Sequence, residues 1–149
     1  MNVIELRKPE ALLIGDIQNL LRRVIDAGMF LAPAGFDSVA EDIFNFVTDP
    51  KKVMFLGAED GAFKAVILAY LPVGNLFPYP TIVAFYNEGT RALSRAMGEA
   101  LMDFIVSNGY TRVLAVNMSG YADDVWLRGL TPADAKSSIA GSLGIFEVK

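Results

Sequence analysis

The sequence contains neither cysteine nor histidine. Those two absences exclude disulfides, thiolate nucleophiles, imidazole general bases and the usual zinc ligands. Carboxylates, hydroxyls, tyrosine, lysine and backbone amides are left to carry any chemistry. No segment resembles a metal-binding loop, so no metal is expected. An excess of positive charge is also missing: 13 Lys plus Arg stand against 17 Asp plus Glu, for a net charge of −4. Nucleic acid is therefore not an expected partner. No stretch reaches the roughly 20 apolar residues that span a bilayer, which argues against a membrane protein. Residues 1–9 alternate apolar and charged side chains without a basic start, unlike a secretory signal, and the expected location is cytoplasmic. Repeats, low-complexity tracts and linkers are absent too, so residues 1–149 are expected to form a single domain.

What is present is a hydrophobic fraction of 53% over 149 residues, ample for a sizeable core. Residues 3–7 read as a first strand, ended by Pro9. From 11 to 27, Leu13, Ile17, Leu20 and Val24 recur at helical spacing, with Asp16, Arg22, Arg23 and Asp26 on the wetter side and Gly28 as a stop. An apolar connection, 29–36, leads to a second helix carrying Val39, Ile43, Phe46 and Val47, with Asp37 or Ser38 as its cap. Two apolar runs, 53–58 and 63–71, flank Asp60-Gly61, a strong hairpin signal. A turn-rich stretch, 72–80, precedes a strand at 81–86. A helix at 91–107 follows, in which Leu93, Met97, Leu101, Phe104 and Ile105 share a face, and Asn108-Gly109 ends it. Next come a strand at 112–117, a short helix at 121–130 and a last strand at 142–148. The reading is an α/β (α+β) fold: a mixed sheet with an N-terminal antiparallel hairpin part, a parallel strand-helix-strand crossover and helices on both faces. A dinucleotide-binding arrangement is excluded, because no Gly-x-Gly-x-x-Gly follows the first strand and the hairpin makes part of the sheet antiparallel.

The most informative junction is Asn87-Glu88-Gly89-Thr90, between strand and long helix. A strand that stops in a short polar turn before a helix leaves the first helical amides pointing past the sheet's carboxyl end, where an anion can sit. Gly89, Thr90, Ala92 and Ser94 are small enough for close backbone approach, and Arg91 and Arg95 add positive charge. Read conservatively, Gly89 turns the chain, Thr90 caps the helix, and the arginines are solvated. Glu88 would repel a phosphate unless it points away.

The order of elements resembles that of the GNAT superfamily of N-acetyltransferases over nearly the whole chain. The family's pyrophosphate loop, Arg or Gln-x-x-Gly-x-Gly or Ala, falls on Gly89-Thr90-Arg91-Ala92-Leu93-Ser94, and Arg95 opens the helical run that follows. The leading cation is absent, and Ala92 and Ser94 replace the smaller residues, which narrows the approach to a pyrophosphate. The resemblance implies acetyl-coenzyme A as cofactor, with backbone groups of Val83, Ala84 and Phe85 on its pantetheine arm and Asn117 also on the arm. Where many relatives carry a tyrosine acid, this chain carries Trp126, whose indole is no acid, and Tyr121 is the nearest substitute. Catalytic residues are not assigned; Glu41, Asp42, Glu88 and Asp124 are the carboxylates on expected site-forming segments.

Two functions follow from the resemblance. One is an acetyl-coenzyme A dependent N-acetyltransferase acting on a small-molecule or peptide amine. The other is a GNAT-fold protein without catalysis that serves as a binding or structural component, as in phage-like divergent members, including as a homo-oligomer. The degraded loop and Trp126 favour the second. In both, residues 29–36 and 74–80 flank the acceptor mouth, as gate or as subunit contact.

Overall fold

The computed structural model describes residues 1–27, 36–72, 79–117, 130–138 and 141–148. Strand β1 (Asn2–Glu5) is followed by a 3-10 turn, Pro9–Leu13, and helix α1 (Gly15–Asp26). Helix α2 (Phe36–Thr48), the hairpin strands β2 (Lys52–Glu59) and β3 (Ala62–Tyr70), then β4 (Thr81–Asn87) and helix α3 (Arg91–Ser107) come next. The order closes with β5 (Arg112–Asn117), β6 (Leu130–Ser138) and β7 (Gly141–Val148).

The first helix starts later than its periodicity suggests. Pro9 opens the 3-10 turn, and Ile14, with φ −68 and ψ 125, is extended, so helical winding restarts only at Gly15. Leu13 and Ile14 therefore fall off the α1 stripe and are 78% and 49% exposed, while Ile17, Leu20, Leu21 and Val24 are buried. Helix α2 begins at Phe36, which puts Asp37 and Ser38 in its first turn rather than ahead of it. At the hairpin the expectation holds: Asp60 (φ 55) and Gly61 (φ 76) both take the left-handed conformation that a two-residue type I′ turn requires.

One seven-stranded sheet runs in the order β1-β2-β3-β4-β5-β7-β6. Every neighbouring pair is antiparallel except β4 and β5, which are joined through α3 by the expected parallel crossover. Strand β6 was not expected from its sequence, Leu-Thr-Pro-Ala-Asp-Ala-Lys-Ser-Ser, which is poor in β-branched and aromatic residues. It lies at the sheet edge, where Pro132 is tolerated because the register shifts between Pro132 and Asp134. Leu130, assigned from sequence to a helix end, opens this strand, and the rest of that expected helix, 121–129, lies outside the described residues.

The sheet separates two apolar layers. On one face α1 and α2 bury Ile17, Leu20, Val24, Ile43 and Val47 against Met54, Leu56, Val66, Leu68 and Ala84. On the other, α3 buries Leu93, Met97, Leu101 and Ile105 against Val53, Phe55, Ala65, Ile67, Ala69 and Ile82. Each Val, Leu, Ile, Phe or Met among them contributes about 1.5–3 kcal/mol when fully buried, so the two layers lock α3 and the hairpin in place around β4. At Gly57 α3 presses close on the sheet: a Cβ there would lie 2.7 Å from Met97 Sδ and 2.9 Å from Leu93 Cδ1.

Candidate functional site

The site is built on an irregularity of β4. Leu68 pairs with Ala84 and Ala69 with Ile82, so Val83 is an extra residue without an opposite number on β3. This bulge swaps the alternation of the strand: Ile82 faces α3, whereas Ala84 faces α1 and α2, and Phe85 and Tyr86 continue in turn. On its other side β4 registers with β5 only at Thr81↔Leu114 and Ile82↔Ala115, anchored by the Leu114 amide on the Pro80 carbonyl at 2.8 Å. The parallel ladder stops where the bulge begins. A bulge bends its strand and ends pairing, so β4 and β5 diverge from Val83 onward, and Val83 is exposed.

At the end of β4 the chain turns into α3 through residues that bond to one another. Asn87 Oδ1 accepts the Gly89 amide at 2.7 Å, and Asn87 Nδ2 donates to the Thr90 carbonyl at 2.9 Å and to Ser94 Oγ at 2.6 Å. Thr90 is the N-cap, its Oγ1 accepting the Leu93 amide at 3.3 Å. Glu59, at the end of β2, reaches the same cap: its carboxylate accepts the Thr90 amide at 3.2 Å and the Thr90 hydroxyl in a short hydrogen bond. Gly89 is closely surrounded: a Cβ would lie 3.0 Å from Leu93 Cδ2, 3.1 Å from Asn87 Oδ1 and 3.2 Å from Glu59 Oε1, so a side chain here would make these neighbours give by a few tenths of an ångström. Among the described residues no acceptor stands on the first-turn amides of Arg91 and Ala92, and both residues are exposed.

Glu88 points away from this turn. Arg23, on α1, grips its carboxylate with Nη2 at 2.7 Å from Oε1 and Nε at 3.0 Å from Oε2, and the Tyr86 hydroxyl donates to Oε2 at 2.8 Å. Burial opposes the charged form of Glu88, but the hydrogen bonds from Arg23 and Tyr86, with the charges of Arg23 and Lys64, outweigh it and hold its carboxyl below the ordinary range. The same hydrogen bond raises the Arg23 guanidinium above its ordinary value. Glu88 is a fixed anion rather than a general base.

The structure brings Val83, Ala84 and Phe85 and the turn from Gly89 to Arg95 to one end of the sheet. Within the turn the roles divide. Leu93 and Ser94 are buried, Leu93 in the α3 core and Ser94 on Asn87, so neither offers a side chain outward. Thr90 is taken by its cap and by Glu59. Arg91, Ala92 and Arg95 face solvent. Asn117 ends β5 opposite Ser142, and its side chain lies outside the description. Tyr121, Asp124, Trp126 and most of the connections 29–36 and 74–80 lie outside the described residues. Glu41 and Asp42 are exposed on α2, on the face opposite α3, where Glu41 lines a cleft of about 570 Å³ with Leu13, Leu21 and Phe44. Sequence reasoning missed Glu59, Asn87 and Arg23. An asparagine two residues before a glycine carries a local signal, the Asx turn; Glu59 and Arg23 carry none, since their partners are distant in sequence.

No helix among the described residues is long and apolar enough to cross a membrane. No family model matches the sequence, and no curated protein matches it. Solved structures do match along the whole length. An N-acetyltransferase from Staphylococcus aureus is 16% identical, with a TM-score of 0.64 over 100% of this chain and 99% of that one. The PaiA N-acetyltransferase from Thermoplasma acidophilum, solved in complex with coenzyme A, is 8% identical, with a TM-score of 0.68 over 99% of both chains. An acetyltransferase of the GNAT family from Streptococcus pneumoniae is 7% identical, with a TM-score of 0.65 over 97% of both chains. Likeness in backbone over whole chains at so little identity is likeness of architecture, and by it this chain carries the fold of the GNAT N-acetyltransferases.

Proposed function

We propose that the chain binds an acyl-coenzyme A, acetyl-coenzyme A in the first instance, and presents it to an amine acceptor. One observation carries this reading: the β4–β5 ladder stops at Ile82, beside a helix whose Arg91 and Ala92 amides have no acceptor among the described residues. A strand edge at Val83 and Ala84 suits the amide-bearing pantetheine arm, which pairs with main chain as a strand does. The exposed amides, with the Arg91 and Arg95 guanidiniums, suit its phosphates. The residues present therefore fit the group, with Ala92 in place of a smaller residue narrowing the approach. That a solved neighbour of the same fold carries coenzyme A supports the reading.

The bound cofactor supplies an activated acyl group as a thioester. The chain's own contribution would be position: the edge of β4 at Val83 and Ala84 would hold the arm, and the opening beside it would admit an amine. Glu88 takes no proton in this scheme, since Arg23 and Tyr86 occupy its oxygens. The amine loses its proton to solvent or to a group outside the described residues.

A second reading, a GNAT-fold protein that has left catalysis and serves as a binding or assembly component, draws on the same corner. Glu59 and Asn87 already satisfy the Thr90 and Gly89 amides, which leaves fewer donors for a phosphate. Calorimetric titration of the purified protein with acetyl-coenzyme A and with coenzyme A separates the two. The enzyme reading expects a dissociation constant in the range of about 1–100 μM, and silence at ~1 mM overturns it in favour of the second.

A further inference from the structure

Glu59 stands at the tip of the β2–β3 hairpin, and the register of β2 on β3 and of β3 on β4 carries that tip to the end of the sheet where β4 runs into α3. There its carboxylate accepts both the amide and the hydroxyl of Thr90, the cap of α3. Glu59 is half-buried, and none of the ion pairs among the described residues includes it. Its charge is only partly offset by the helix terminus, which carries roughly half a positive charge. An anion is thus already seated on the terminus that the proposed cofactor needs, one and two residues from the Arg91 and Ala92 amides.

We infer that Glu59 is a resident anion of the α3 terminus: it positions Thr90, and through Thr90 the turn from Gly89, while its charge limits how tightly the neighbouring amides bind phosphate. This rests on the reading of that corner as the phosphate end of a coenzyme A site. The two effects separate by chemistry. Positioning needs oxygens at Oε1 and Oε2 that accept from Thr90, whereas the limit on affinity needs only the negative charge. Glu59→Gln keeps one carbonyl oxygen for the Thr90 amide, puts in place of the second acceptor an NH2 that can donate to the Thr90 hydroxyl oxygen, and removes the charge. A phosphate a few ångströms away then loses a like-charge neighbour that water screens only partly.

The test titrates wild type and Glu59→Gln with inorganic pyrophosphate and with coenzyme A, at low and at ~0.5 M salt. Both probes are expected to bind the variant at least about 5-fold more tightly at low salt, with the gain shrinking at high salt as an electrostatic effect must. Glu59→Thr, an uncharged strand residue too short to reach Thr90, removes the charge and both acceptors together; if the glutamine variant does not fold, it reads the charge effect through pyrophosphate alone, which is expected to bind it more tightly at low salt. Equal or weaker binding of coenzyme A by Glu59→Gln, or of pyrophosphate by Glu59→Thr where it stands in, overturns the inference and leaves the cofactor reading standing. A gain for pyrophosphate without coenzyme A binding by any protein upholds the inference and overturns the cofactor. Silence of all proteins to both probes overturns both.

Discussion

Arg23 and Glu88 lie 65 positions apart in sequence and meet in a forked ion pair, Nη2 to Oε1 at 2.7 Å and Nε to Oε2 at 3.0 Å. The pair ties α1 to the turn that leads from β4 into α3. It also removes the one carboxylate inside the loop from the path of an incoming anion. Its side chains are 44% and 28% exposed, so water screens much of the attraction.

Glu88→Gln is expected to lower stability at neutral pH by about 0.5–1 kcal/mol, the upper end of what a half-exposed pair contributes. The sign with pH follows from the direction of the shift. The carboxyl of Glu88 is held below the ordinary value of 4.5 in the folded chain, so its contribution is whole above the ordinary carboxylate range. It is lost as pH falls through the folded value. Urea midpoints of wild type and variant should therefore differ at pH 7 and converge as pH falls below the ordinary carboxylate range and through the folded value; a gap that stays constant would assign the effect to something other than ionisation.

Ala92 is the second residue of α3, exposed, with no acceptor on its amide among the described residues. A glutamate there is favourable to the helix terminus, by roughly 0.3–1 kcal/mol, and unfavourable to a phosphate. Ala92→Glu should leave the thermal midpoint unchanged or slightly raised while weakening coenzyme A binding at least about 10-fold. Stability and affinity moving in opposite directions is the signature; parallel loss of both would point to misfolding of the turn.

Deleting Val83 tests the bulge. Ile82 and Ala84 already face opposite layers, so removing the residue between them restores ordinary alternation and keeps both cores intact. The deletion is expected to yield a folded protein with a cooperative melt and no measurable coenzyme A binding. Retained binding would show that the divergence of β4 from β5 does not depend on the bulge.

Gly57 tests the packing of α3. With Met97 Sδ 2.7 Å and Leu93 Cδ1 2.9 Å from the place of a Cβ, Gly57→Val must displace two fully buried side chains. The expected cost is about 1–3 kcal/mol, read from denaturant midpoints. Because Leu93 follows the turn directly, the same variant should also weaken coenzyme A binding, and tight binding in a destabilised protein would uncouple the helix packing from the site.

Much of this fold is legible in the order of its residues, because the relevant physics is local. Alternation and helical spacing located β2, β3, β4, α3 and β5, and the Asp60-Gly61 pair specified its turn, since few other dipeptides take two left-handed residues in a row. The strand-helix-strand order made the β4–β5 pair parallel, because no shorter connection joins parallel strands. Where local signals conflicted or were weak, the reading failed: Pro9 and an extended Ile14 took Leu13 out of the helix, and β6 draws its pairing from β7 rather than from its own composition. Tertiary structure alone decided the character of the site. The bulge at Val83 exists only in register with β3, and the seats of Glu59 on Thr90 and Arg23 on Glu88 depend on strands and helices meeting across long stretches of chain. Which carboxylate faces the helix terminus, and which is turned away from it, is settled by that packing and by nothing in the spacing of the residues.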